Sequence, residues 1–150
     1  MKLLKYTLIV LFSVGLMSCG SSGGGDDDVD TTPPTLNITS PSASQSVDAG
    51  TNLTVSFTAG DNVALKSYTL TVAFSGVKSV KTVEEFSFNS ATDTDAEGKA
   101  LQTISGPSAD VSFPMAIADN ATPGNYKLTV VVTDEAGNPS EEKSVTFEIK

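Results

Sequence analysis

The side chains that could do chemistry are few. The 150-residue chain has no His and a single Cys, and Arg is absent from its sequence. That removes imidazole as a general base, Cys–His catalysis, zinc centres built on His or Cys, and intramolecular disulfides. A metal site would have to be made of oxygen alone, a donor set that suits calcium better than a transition metal. Asp30, Asp61 and Asp134 are the candidates. In the antiparallel sandwich argued below, the N-terminus of the first strand, the second-to-third loop and the sixth-to-seventh loop gather at one end. These three residues sit in those three places, where carboxylates and backbone carbonyls would together take Ca2+. The competing account makes Asp61 and Asp134 turn residues that bond their own backbone, with Asp30 in a solvated tether. No EF-hand loop or other fixed calcium spacing accompanies them.

Other combinations carry less. Sugar-binding platforms need exposed rings, and there is no Trp. Most of the aromatic residues fall in phase with core positions; Phe86 and Phe88, beside the irregular Glu84-Glu85 pair, are the candidates for ligand binding, against a reading as a further core strand. Ser75-Gly-Val-Lys78 and Ser140-Glu-Glu-Lys143 match a Ser-x-x-Lys string. That chemistry needs both residues on one helical turn, and these fall in hairpin and strand segments. Glu84-Glu85 and Asp93/Asp95 are paired carboxylates of the kind used in glycoside hydrolysis, but charged runs in loops are usually just solvated. The expectation is no catalytic residue and no enzyme.

Cys19 carries a different chemistry. Lys2 and Lys5 precede an apolar run, Thr7–Met17, of signal-peptide length, and Leu16-Met17-Ser18-Cys19-Gly20 closes it. The run is shorter than the roughly 20 apolar residues a transmembrane helix needs. The expectation is thioether formation on the Cys19 sulfur, cleavage before it, and acylation of the new amine, so that two or more chains hold the protein at a membrane. Gly20-Ser-Ser-Gly-Gly-Gly-Asp-Asp-Asp-Val-Asp30 then reads as a tether. Gly and Ser keep it flexible, the aspartates extend it, and the stretch to Pro33 reaches roughly 20 Å.

The net charge is −9. Without Lys2 and Lys5, 7 Lys face 18 Asp and Glu, a balance near −11 that leaves little to neutralise phosphates, so no nucleic-acid partner is expected.

The elements that must position these residues are strands. Leu36 and Ile38 alternate before Pro41. Leu53, Val55 and Phe57 alternate with Thr54, Ser56 and Thr58; Tyr68, Leu70, Val72 and Phe74 with Thr69, Thr71 and Ala73. Val111–Ile117, Tyr126–Val132 and Val145–Ile149 repeat the pattern, as half-buried antiparallel strands do. Turn signals separate the runs, among them Gly60-Asp61-Asn62, Gly106-Pro107 and Gly137-Asn138-Pro139. Val77–Phe88 changes phase, which a bulge near Glu84-Glu85 would reconcile. Asn89–Asp110 reads as a long connection with a short strand around Lys99–Ile104. The whole predicts an all-β, immunoglobulin-like antiparallel sandwich of about seven strands over residues 33–150, after a signal peptide (1–18) and a lipidated, acidic tether (19–32).

Two resemblances sharpen this. Acidic residues soon after a lipidated Cys resemble the signal that exports lipoproteins of Bacteroidota to the outer face of the outer membrane, and Asp30-Thr31-Thr32 resembles an O-glycosylation motif of those bacteria. Gly124-Asn125-Tyr126, opening a strand that ends in Asp134–Asn138, resembles the penultimate strand of immunoglobulin-like domains in bacterial surface proteins. With the Cys19 segment, the Asp run and Pro33-Pro34, the chain resembles uncharacterised Bacteroidota-type lipoproteins with one immunoglobulin-like domain of unknown function. The resemblance implies a membrane-anchored, surface-exposed outer-membrane protein that binds a glycan or an envelope protein, or serves as a structural part. An accessory carbohydrate-binding role in glycan uptake is the alternative. Exposed edge strands would also allow a partner to add a strand.

Overall fold

In the computed structural model, which describes residues 29–75 and 86–150, the alternating segments become strands, and no helix occurs among the described residues. They are β1 (Thr35–Ser40), β2 (Ser46–Val47), β3 (Asn52–Phe74), β4 (Phe86–Asn89), β5 (Gly106–Ala116), β6 (Gly124–Asp134) and β7 (Lys143–Ile149). The bulge anticipated near Glu84-Glu85 and the lipidation site Cys19 lie outside the described residues, as does the signal segment.

Hydrogen bonding joins the strands along the path β1–β3–β6–β7–β2, with β4 and β5 also paired to β3. β3 makes this a two-layer structure. Its first half, Asn52–Gly60, pairs antiparallel with β1 on one side and β5 on the other. Its second half, from Leu65, pairs with β6 and β4. The register shifts between Gly60 and Leu65 and again between Leu65 and Ser67. There the chain bends out of one layer and into the next. The layers β1–β3–β5 and β4–β3–β6–β7–β2 then close face to face. Leu53, Val55 and Phe57 come from one half, Tyr68 and Leu70 from the other, and each is at most 1% exposed. The rings of Phe57 and Tyr68 meet edge to face across the interior at 4.9 Å, a geometry that adds roughly 0.5–1.5 kcal/mol to the burial itself. The architecture is an immunoglobulin-like β-sandwich.

Four details differ from the sequence expectation. Gly60-Asp61-Asn62 is not a turn between two separate strands but the bend of one long strand. β5 starts at Gly106 rather than Val111: its first residues pair with β3 on either side of the bend and carry no large apolar side chain. Lys99–Ile104 forms no strand; an isolated bridge joins Thr94 to Ala100, and Leu101 and Ile104 drop into the core as plugs. β2 runs parallel to β7, a pairing too short for periodicity to reveal.

At the β6 entrance, Tyr126 Oη donates to the Thr122 carbonyl at 2.8 Å. This is the geometry of a tyrosine corner. Gly124 is required there: its φ is +140°, and a Cβ would lie 2.8 Å from the Phe74 ring.

Candidate metal centre

Three segments distant in sequence meet at the end of the sandwich where β3 bends. Asp61 lies on the bend. Asp134 is the last residue of β6, and β-ladder pairing sets it opposite Leu65, just past the bend. The Glu135 N–H donates to the Ala64 carbonyl at 3.0 Å, which fastens the β6 end to the same place. Asp30 arrives on the lead-in to β1. One carboxylate oxygen from each of the three lies within 4.8 Å of the others. The sequence argument placed these residues together through topology, and the structure brings them together.

The hydrogen bonds divide the oxygens into two kinds. Asp30 Oδ1 accepts from the Thr32 N–H at 2.9 Å and from Asn62 Nδ2 at 3.0 Å. Asp61 Oδ2 accepts from the Val63 N–H at 2.9 Å. Asp134 is wholly buried, and Asn138 serves both its oxygens: the backbone N–H donates to Oδ1 and Nδ2 to Oδ2, each at 2.7 Å. Asn138 Nδ2 also donates to the Asp30 carbonyl at 2.9 Å. These bonds orient the carboxylates. The remaining oxygens, Asp30 Oδ2 and Asp61 Oδ1, are sealed from solvent and have no hydrogen-bond partner. A buried acceptor left without a donor is costly, and the closeness of three carboxylates adds charge repulsion to that cost. The backbone bond from Thr32, then the Asn62 amide, holds the Asp30 carboxyl below its ordinary range and so in the charged form.

An oxygen-only set of this kind matches a hard divalent cation. Calcium accepts carboxylates together with carbonyls and waters at flexible geometry, whereas magnesium demands a near-ideal octahedron and keeps most of its water. The residues that sequence reasoning passed over are Asn62 and Asn138. Both were visible only as turn formers beside the aspartates. Here their side-chain amides point the carboxylates inward.

The other candidates are placed differently. Phe88 pairs with Leu70 and packs, partly buried, against the core, so it offers no open ring. Of Phe86 the structure describes the backbone, paired with Val72. Ser140 Oγ accepts from the Val132 N–H at 3.1 Å and donates to the Glu141 carbonyl at 3.0 Å, while Lys143 Nζ turns to Glu141. That Ser and Lys are therefore engaged apart from one another. Lys78 and the Glu84-Glu85 pair lie outside the described residues. Asp93 accepts from the Asn89 N–H, and Asp95 from the N–H groups of Glu97 and Lys99. Both are turn residues.

A family described as a domain of unknown function (DUF4625) matches residues 21–150. No curated protein matches the chain in sequence. Among solved structures, the chain is similar to the fibronectin(III)-like modules of Clostridium thermocellum CbhA, at 17% identity and a TM-score of 0.48 over 79% of this chain and 47% of that one. It is also similar to the SrpA adhesin of Streptococcus sanguinis, at 17% identity and 0.49 over 81% and 57%. A DUF4466 family protein from Parabacteroides merdae matches at 11% and 0.49 over 79% and 45%. The chain spans about half the length of each of these three.

Proposed function

The chain belongs to the DUF4625 family, and we propose that its domain is a calcium-binding, non-enzymatic module that works by binding or as a structural part at a bacterial envelope, where a lipid on Cys19 holds it. One observation carries the calcium reading: Asp30 and Asp61, each with a buried oxygen that has no hydrogen-bond partner, converge with Asp134, one carboxylate oxygen of each lying within 4.8 Å of the others. A divalent cation supplies what these oxygens lack and cancels the repulsion between the carboxylates. Support for a non-catalytic role comes from the absence of His in the sequence and from the separate engagement of Ser140 and Lys143. Support for the anchor is the position of Cys19 behind a basic and then apolar leader, with the Asp run behind it favouring the outer face of the outer membrane. The accessory glycan-binding alternative loses Phe88, whose ring is spent on the core.

Titration calorimetry of the calcium-stripped protein tests the site. One saturable calcium per chain is expected, with weaker binding of magnesium and none in Asp134→Asn. No heat at millimolar calcium overturns it. The anchor is tested separately: Cys19→Ser is expected to leave the membrane fraction and to stop incorporating radiolabelled palmitate, and a variant that stays with membranes refutes lipidation.

A further inference from the structure

The three ligand segments are not held equally. Asp61 lies in the bend of β3, between paired Gly60 and paired Leu65, and Asp134 is held at the end of β6 by its pairing with Leu65. Asp30 belongs to a segment in no strand. From Pro34, the first buried residue, the chain runs back through exposed Pro33, Thr32 and Thr31 to Asp30, with Val29 exposed beyond it. Two side-chain amides reach from the sandwich to this lead-in: Asn62 Nδ2 to Asp30 Oδ1 and Asn138 Nδ2 to the Asp30 carbonyl. Against them stands the repulsion of Asp61 and Asp134, whose oxygens lie within 4.8 Å of that of Asp30.

We infer that calcium acts as a clamp on the chain where it enters the domain: with the ion, residues 29–34 are fixed to the end of the sandwich, and without it they swing free on Pro34. This rests on the ion site proposed above and adds its consequence. The cation changes the sign of the force on Asp30. Two fixed carboxylates push it away in the absence of the ion, and the shared ion pulls it in. Asp134 is paired with Leu65, and Asp61 is spanned by paired Gly60 and Leu65, whereas the lead-in belongs to no strand, so the lead-in is the part that moves. Residues 29–34 join everything upstream to the domain, so ion occupancy decides whether that junction is stiff or slack. In stiff form the domain has a set orientation relative to what precedes it; in slack form it does not.

Hydrogen–deuterium exchange of the full chain, in excess calcium and in chelator, reads this directly, with calorimetry on the same samples to score calcium uptake. The amides of Asp30, Thr31 and Thr32 are expected to exchange at least tenfold more slowly with calcium. Asp134→Asn, checked for native folding by circular dichroism, is expected to show no such slowing. Asp30→Asn is expected to take up calcium more weakly through Asp61 and Asp134 and to leave the lead-in unprotected. Calcium uptake with unchanged lead-in exchange overturns the clamp and leaves the ion site standing. No uptake overturns the ion site, and the clamp falls with it.

Discussion

Replacing Asp61 by Asn is expected to change the sign of its effect on stability with calcium. In chelator the substitution removes one charge from the cluster. The new side chain's oxygen keeps the bond from the Val63 N–H, and its NH2 group puts a donor among the remaining carboxylates, so a repulsion is replaced by an attraction. For two carboxylates at the separation of Asp61 and Asp134, within 4.8 Å, the gross repulsion is about 3–4 kcal/mol at an effective dielectric of 20. Screening by salt and by the water at this end of the sandwich reduces this to ~1–2 kcal/mol. At about 4 °C per kcal/mol for a domain of this size, the variant should melt roughly 4–8 °C above the native protein in chelator.

Calcium reverses the order. A site with a Kd of about 0.1 mM, in about 10 mM calcium, gains ~2.7 kcal/mol from binding, a rise of about 11 °C. The variant has lost a ligand and gains little, so it should now melt below the native protein. Differential scanning calorimetry in both buffers reads the crossing. Added NaCl should raise the melting temperature of the chelated native protein more than that of the variant, because the repulsion is screened. A native protein indifferent to calcium, or a variant less stable by the same amount in both buffers, refutes the electrostatic reasoning.

Three further outcomes follow from the packing. Burial pushes the Tyr68 phenol up to about 12, from near 10 in the unfolded chain. The stability this confers is complete below pH ~10 and lost as pH rises toward 12; alkaline unfolding curves of Tyr68→Phe should lack that loss, and its stability at pH 7 should not fall, because the Tyr68 hydroxyl has no hydrogen-bond partner. Tyr126→Phe deletes the 2.8 Å bond to Thr122 and leaves that carbonyl unserved, so urea unfolding should show a loss of about 1 kcal/mol; no loss would mean that the corner is ornamental. Phe88→Ser should cost ~2 kcal/mol, below the 3–5 of a fully buried ring, and an unchanged unfolding midpoint would mean that the ring does not pack on the core.

The legible parts of the fold were those where one strand face is buried along its whole length. Leu53, Val55 and Phe57, or Leu128, Val130 and Val132, repeat every second residue, and each is at most 1% exposed. Where pairing outruns the core, the signal vanishes. Pro107–Asp110 lies within β5 with only the small, partly buried Ala109 to continue the alternation, and β2 is two residues long. Gly60-Asp61-Asn62 misled for a local reason: a bend within one strand and a turn between two use the same residues. Leu101 and Ile104 are buried from a stretch without strand geometry, and burial without a ladder has no period to read.

The carboxylate cluster was legible through topology and not through spacing, because no interval between Asp30, Asp61 and Asp134 is a motif. The competing account, in which these are turn residues, is half right, and the atoms show which half. Turn chemistry explains Asp61 Oδ2 on the Val63 N–H, Asp30 Oδ1 on the Thr32 N–H and the service of Asp134 by Asn138. Asn would do that work at positions 30 and 61 as well, without adding charge. What turn chemistry leaves unexplained is the second oxygen of each: Asp30 Oδ2 and Asp61 Oδ1, buried, unserved and aimed at one another's neighbourhood. On the proposed reading the bonded oxygens fix direction and the free ones would supply ligands, so turn formation by these residues is what the ion site would depend on.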